Sequence, residues 1–285
     1  MKSVLTLLSL TCVMALTSSW ANAQDAETVS GIPVIGPGFD EWRLEGSEQP
    51  NRGWLNVGGA AQSEDDPRLL TASPGTGVLV NGKTGAAEHL ITYFEHRDLQ
   101  LHVEFMVPKG SNSGVYLQGR YEIQIFDSWG IEKTRNYDCG WIYERWVGED
   151  APKAEQRARR AAWEKENGRK LTEADGNAWR GYEGHPPSTN ASKPPGEWQS
   201  FDITFRAPRY DDNGVKTENA RFVKVVHNGI TIHENVELTG PTHAPVFEDE
   251  QPTGPIMLQG DHGPVAFRNI TVTLMSDAPA GSRAK

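Results

Sequence analysis

Apolar and polar residues alternate with a period of two along much of the chain, which confines the fold to one built from half-buried strands. Leu99, Leu101, Val103 and Phe105 alternate with Gln100, His102, Glu104 and Met106. Val115 and Leu117 alternate with Tyr116 and Gln118, and Ile123 and Ile125 with Glu122 and Gln124. Phe201, Ile203 and Phe205 alternate with Asp202 and Thr204, and Arg268 to Leu274 repeats the pattern. Asn81-Gly82 and Asn228-Gly229 each sit between β-rich runs and carry the residues that a two-residue type I′ hairpin requires. Pro194-Pro195-Gly196 is a further turn, opening a strand near Trp198. The 29 Gly and 18 Pro supply turns in the number that short strands need. The expected fold class is all-β, a two-sheet antiparallel β-sandwich.

The first 23 residues are expected to be a signal peptide. Lys2 gives the positive start, Val4 to Leu16 is apolar but too short to span a bilayer, and Ala21-Asn22-Ala23 forms a small-residue cleavage site. The protein is therefore expected to be exported, periplasmic or secreted, after cleavage near Ala23. Residues 24–37 read as a flexible lead-in, 38–275 as one domain and 276–285 as a flexible tail. Cleavage leaves Cys139 alone, so no internal disulfide can brace the domain. No second apolar run reaches membrane length, so no membrane span is expected.

Residues 144–183 break the strand pattern. They hold nine Lys/Arg and nine Asp/Glu, so the net charge of −10 is carried outside them. Asp150 and Pro152 read as a helix start and Gly168 as its stop, while Thr172 and Asp175 form a capping-box pattern for a second short helix. The segment reads as a helical insertion into a β framework. It is either a solvated excursion or a lid or rim bearing Trp163, Trp179 and Tyr182. The acidic balance argues against a nucleic-acid partner, because phosphate contacts need a basic face.

The segment Gly110–Trp129 is richest in chemistry. Glu122 and Gln124 project from one face of a strand, about 7 Å apart at the standard rise. Asp127 falls on the other face unless a one-residue bulge returns it to theirs. The Glu-x-Gln-x-x-Asp spacing is similar to the Glu-x-Asp-x-x-Glu strand of jelly-roll β-glucanases, whose outer carboxylates are nucleophile and acid/base. Here the central acid is an amide and the last is shorter, which weakens two-carboxylate hydrolysis. The bland alternative is that Glu122 and Gln124 are simply a strand's polar outer face. Trp129, Trp141, Tyr143 and Trp146 lie within eighteen residues, and aromatic rings at a rim suit the apolar faces of sugars. No HExxH, CxxC, EF-hand, GxSxG or phosphate-binding loop occurs. No metal ligands are assigned. No cofactor is required by the residues, and a divalent cation is compatible with them.

The stretches Leu99–Phe105, Ser111–Leu117, Tyr121–Asp127, Pro194–Trp198, Gly254–Gln259 and Val265–Ile270, in that order, resemble the bacterial 3-keto-disaccharide (3-keto-glycoside) hydrolase domain. The resemblance covers the chain from about Gly38 to Leu274. It departs from many members in having Gln118 where they carry Arg, and in the length of the 144–183 segment. It implies a concanavalin A-like jelly roll. It also implies a glycoside substrate already oxidised at C3 by a separate dehydrogenase. A C3 ketone acidifies the C2 proton, so a base can remove it, the enolate can expel the C1 substituent and water can then add. Such a 1,2-lyase and hydratase route needs a base, a stabiliser of enolate charge and an acid for the leaving oxygen.

With that chemistry, Glu122 is the first candidate base or acid, and Glu104 the second if its strand neighbours Glu122 and presents the same face. His262 is a candidate proton shuttle and Arg268 a candidate partner for developing negative charge. The plainer readings are that His262 is a surface turn residue and that Arg268 pairs structurally with an acid. Gln124, Gln118 and Gln259 are expected to bind hydroxyls, with Asp127 on the same segment. Trp129, Trp141 and Tyr143 are expected to line the sugar-binding edge, and Asn112 to shape a turn. A noncatalytic carbohydrate-binding module and a conventional jelly-roll glycosidase are the competing functions.

Overall fold

The structure is a computed structural model describing residues 32–33, 39–46 and 53–275. The expected signal segment, most of the lead-in and the 276–285 tail lie outside the described residues. In chain order the strands are β1 (Ile32–Pro33), β2 (Trp42–Leu44), β3 (Leu55–Gln62), β4 (Leu70–Val80), β5 (Leu90–Thr92), β6 (Leu99–Met106), β7 (Asn112–Leu117) and β8 (Tyr121–Phe126). After β9 (Arg145–Trp146) comes the helix α1 (Lys153–Asn167), then β10 (Gly181–Tyr182), β11 (Gln199–Arg206), β12 (Arg209–Tyr210) and β13 (Lys216–Glu218). The remaining strands are β14 (Ala220–His227), β15 (Ile230–Leu238), β16 (Met257–Leu258) and β17 (Ala266–Leu274).

Two antiparallel sheets form the sandwich. The larger runs β15-β14-β11-β6-β17-β4-β3, with β1 also paired to β17, and the smaller runs β2-β5-β16-β7-β8. Within the lead-in, Ile32 and Pro33 therefore pair with Val272 and Thr271 instead of hanging free. The period-two alternation decides which face each strand buries. Leu99, Leu101, Val103 and Phe105 of β6 enter the same core as Val115 and Leu117 of β7 and Tyr121, Ile123 and Ile125 of β8. Rings bridge the two layers, with Tyr121 5.5 Å from Phe205 between centroids. Each such side chain contributes about 1.5–3 kcal/mol on burial. Met106, on the polar register of β6, is also buried, in a second cluster with Leu70, Val78, Val80 and Ala266.

The two Asn-Gly pairs have different fates. Asn228 and Gly229 both take positive φ (50° and 82°) between β14 and β15, the type I′ hairpin their sequence demands. Asn81-Gly82 makes no hairpin, because β4 pairs with β3 and β17 while β5 belongs to the other sheet. Asn81 instead clamps a distant segment. Its Nδ2 donates to the carbonyls of Gly260 and Gly263, both at 2.8 Å, and its Oδ1 accepts from Val265 N at 2.7 Å.

In the insertion, β9 pairs with β10 and closes the two legs. Helix α1 starts after Pro152 and stops at Gly168, whose left-handed φ of 63° lets its N–H bond Glu164 O. The Thr172–Asp175 capping box forms in full, but it caps a single 3-10 turn, Glu173–Asp175, where a second helix was expected. Trp163 and Trp179 are buried within the insertion. Arg169 lies 4.7 Å over Trp163 and Arg160 4.0 Å over Trp179, so these rings brace the segment itself.

Candidate active site

The site lies on the outer face of the smaller sheet. Because Tyr121, Ile123 and Ile125 point into the core, Glu122 and Gln124 point away from it. Yet they are only 2% and 3% exposed, since loops cover this face. Residues 140–143 run beside β8: Gly140 N bonds Gln124 O, Gln124 N bonds Trp141 O, and Tyr143 N bonds Glu122 O. Thr242 pins the 241–248 loop across the start of β8, its hydroxyl accepting from Glu122 N at 3.2 Å and donating to Arg120 O at 3.1 Å. His243 N bonds Glu144 O, tying that loop to the insertion.

Two rows of side chains result. In the first, Tyr116 of β7 stands directly opposite Glu122 in register, and Tyr143 follows on the far side. In the second, Gln259 N bonds Gly114 O, and Gly114 stands opposite Gln124. Gly114 is needed there, because the Glu122 carboxyl lies across it. Together these residues line a pocket of about 180 Å³ with Asn112 and His262. Its edge is Trp146 stacked on His243, at 4.0 Å between centroids and 11° between planes. The amide oxygens of Asn112, Gln124 and Gln259 are buried without a hydrogen-bond partner in the protein, a cost that bound hydroxyls or water would relieve.

Burial dominates the electrostatics. It pushes the Glu122 carboxyl up to about 8; the nearby negative charge of Asp261 acts the same way, and a hydrogen bond from the Tyr116 hydroxyl opposes both. Desolvation raises the Tyr116 phenol well above its ordinary value, helped by Glu122, and raises Tyr143 to about 12. His243 is pushed down by burial and by the Arg180 charge, which favours a neutral imidazole. His262 is held by the carboxylate of Asp261, which its Nδ1 meets, and half of its side chain stays in solvent at the pocket mouth.

Of the residues expected from the sequence, the structure brings Glu122, Gln124, Tyr143, Gln259 and His262 together. Glu104 and Arg268 are elsewhere. Strand β6 belongs to the larger sheet and is not a neighbour of β8, so Glu104 and Glu122 point from the two opposite outer faces of the sandwich. There Arg268 Nε donates to Glu104 at 2.6 Å, Asn269 joins at 2.8 Å, and the guanidinium lies 3.9 Å over Trp198. Arg268 thus sits outside the pocket, in an ion pair with an acid. Gln118 sits in the turn after β7 with φ 54°, its amide donating to the carbonyls of His96 and Pro252. No bulge returns Asp127 to the site: β8 ends at Phe126, and the Asp127 carboxylate accepts from Gly110 N at 2.9 Å. Trp129 is 57% exposed and does not line the pocket. Trp141 meets the site through its main chain, not as part of the lining.

Trp146, one of the aromatic cluster suited to a sugar-binding rim, lines the pocket; Tyr116 and His243 belong to it although neither was assigned a site role from sequence, and Asn112 faces it as well as starting β7. The Tyr116–Glu122 pairing had a signal, the short turn that folds β7 back on β8. His243 had none, since it comes from a loop without periodicity. Among the described residues, no group of three or more His, Cys, Asp and Glu is placed to hold a metal ion. Glu122 is the one carboxylic acid among the described lining residues, so a two-carboxylate displacement lacks its second member there.

A family model described as the 3-keto-alpha-glucoside-1,2-lyase-like domain matches residues 36–273. No curated protein matches the chain. A crystal structure from Parabacteroides distasonis ATCC 8503, of a protein provisionally named a glycosyl hydrolase, is 23% identical over 86% of this chain and 84% of its own, with a TM-score of 0.50. Another from the same organism, named in the same way, is 16% identical over 85% of this chain and 92% of its own, with a TM-score of 0.48. At 23% identity the first of these likenesses is one of fold.

Proposed function

The chain belongs to the 3-keto-alpha-glucoside-1,2-lyase-like domain family, and from that premise we propose that it cleaves glycosides already oxidised to the ketone at C3. Glycoside processing follows from the family; the 3-keto substrate and the route are our reading. The observation that carries it is a single buried carboxyl with its proton affinity raised to about 8, facing a pocket with no second carboxylic acid among its described lining residues. Such a group is a poor glycosidase pair and a good base for a carbon acid, because a raised pKa strengthens the base.

In this route ionised Glu122 takes the C2 proton, and the C–H electron pair becomes the C2=C3 bond of an enolate with its charge on O3. The enolate collapses to the ketone, forms C1=C2 and expels the C1 oxygen, which takes a proton at the open side of the pocket from His262. The proton on Glu122 exchanges with solvent; water then adds at C1, losing its own proton to His262, while Glu122 delivers the exchanged proton to C2. The sum is hydrolysis, and it passes through an elimination. Tyr116 orients the Glu122 carboxyl by its hydrogen bond, and the amides of Asn112, Gln124 and Gln259 orient hydroxyls. A separate dehydrogenase would supply the ketone.

Incubation with a 3-keto-disaccharide and with its unoxidised parent tests the reading. Turnover of the keto-sugar alone is expected. Binding of both without turnover would indicate a lectin-like module, and cleavage of the parent a conventional glycosidase. Either result would overturn the proposal.

A further inference from the structure

A second, larger cavity of about 600 Å³ adjoins the first and shares Trp146, His243 and Ala244 with it. One wall is built by the two legs of the insertion, through Arg145, Gly148, Glu149 and Arg180, and the other by residues 241–248. The insertion thus shapes a void next to the candidate site. Its walls are held in place before any ligand arrives. Arg159 Nε donates to the carbonyls of Trp179 and Gly181, and Val147 N bonds Arg180 O.

The chemistry of the walls narrows the occupant. Arg180 pairs with Glu149 at 3.3 Å and Arg145 with Glu183 at 3.3 Å, so each guanidinium already faces a carboxylate, while the buried Nε of Arg180 has no hydrogen-bond partner. Glu248 adds a further carboxyl, and burial, with the Arg180 charge, lowers the proton affinity of His243. A carboxylated or phosphorylated ligand would have to compete with Glu149 and Glu183 for these guanidinium groups. The stacked Trp146–His243 pair offers an apolar surface at the boundary of the two cavities, surrounded by hydrogen-bonding groups. Cavities of this size accept a ligand of one or two sugar rings.

We propose that this cavity is the leaving-group subsite, taking the uncharged sugar attached at C1, with the scissile bond crossing the edge of the Trp146–His243 stack. The proposal rests on the reading of the first pocket as the 3-keto-sugar site. The insertion would then select disaccharides over glycosides with small leaving groups by binding the second ring.

Gly148 provides the test. A Cβ there meets nothing within 4 Å and no positive φ opposes a side chain, so Gly148→Trp adds a ring at the cavity wall without pressing on the fold. Gly148→Leu is the milder companion if the larger ring impairs folding. The quantity to read is kcat/KM for a 3-keto-disaccharide divided by that for the methyl 3-keto-glucoside. The added ring is expected to lower this ratio at least about fivefold, the size of a lost sugar contact. A smaller change overturns the subsite even if the first pocket's chemistry stands. If the wild-type protein turns over neither substrate, the first reading fails by itself. Calorimetry with the unoxidised disaccharide then decides the subsite. Binding weakened at least about fivefold by Gly148→Trp sustains it, and unchanged or undetectable wild-type binding overturns it.

Discussion

The carboxyl of Glu122 occupies the space that a side chain on Gly114 would need: a Cβ built there would stand 2.2 Å from Oε1 and 3.0 Å from the carboxyl carbon. The clash is with the tip of a flexible side chain, so it moves the carboxyl and leaves the strands in place. Gly114→Ala is therefore expected to keep the wild-type circular dichroism and melt within a few degrees of wild type. Its kcat should fall about 100-fold, because a misplaced base loses most of its advantage. A variant with full kcat would show that the carboxyl's position over Gly114 does not matter.

Glu122→Gln removes the proton acceptor and keeps the shape. Turnover should fall at least about 10³-fold while binding of the unoxidised disaccharide stays within about threefold. The same variant should be more stable at high pH. Burial raises the folded-state carboxyl to about 8 from an unfolded value of 4.5. Between those values the folded protein holds a proton that the unfolded chain has lost, so wild-type stability falls as pH rises through this window and levels off above about 8. Thermal melts should show Glu122→Gln gaining on the order of 3 kcal/mol at pH 9 and little at pH 4. Parallel melting curves at both pH values would contradict the burial argument.

The rate should follow the ionised fraction of Glu122 in the free enzyme. kcat/KM is expected to rise about tenfold per pH unit below pH 7 and to level off above the Glu122 value of about 8. A profile falling through that region would make Glu122 an acid in the first step.

Asn81 holds the segment that carries Gln259 and His262, through bonds to Gly260, Gly263 and Val265. Asn81→Ala leaves those groups unpaired in the interior and should cost about 2 kcal/mol in chemical denaturation. It should also raise KM, since the loop lining the pocket is released. Unchanged denaturation would mean that water replaces the amide fully.

Glu104→Gln and Arg268→Met lie on the far sheet and should leave kcat/KM unchanged. Their cost is expected to be about 1 kcal/mol or less, as for a largely surface ion pair. A large kinetic loss from either would require a second site on that face.

Much of the fold was legible because alternation reports which residues face the core. It correctly placed Leu99–Phe105, Val115–Leu117 and Ile123–Ile125, and it put Glu122 and Gln124 on an outward face. Alternation does not report which sheet a strand joins. Glu104 and Glu122 have the same in-out pattern, yet they leave opposite sides of the sandwich. The local cap signals at Pro152, Gly168 and Thr172–Asp175 survived because helix and turn ends depend on near neighbours. Asn228-Gly229 and Asn81-Gly82 show the limit of such signals, since only the first dipeptide joins strands of one sheet. The cover over Glu122 was illegible. Trp146 and His243 meet through the insertion and an aperiodic loop, and nothing in either segment alone announces the other.

The central claim is that cleavage proceeds through removal of the C2 proton by Glu122. It is tested most directly by running the reaction on a 3-keto-disaccharide in D₂O and reading C2 of the released 3-keto-sugar by NMR at early times. The account predicts deuterium at C2 of the product, formed at the rate of cleavage and absent with Glu122→Gln. Released sugar that retains its C2 proton, or equal cleavage of the unoxidised parent, would contradict it.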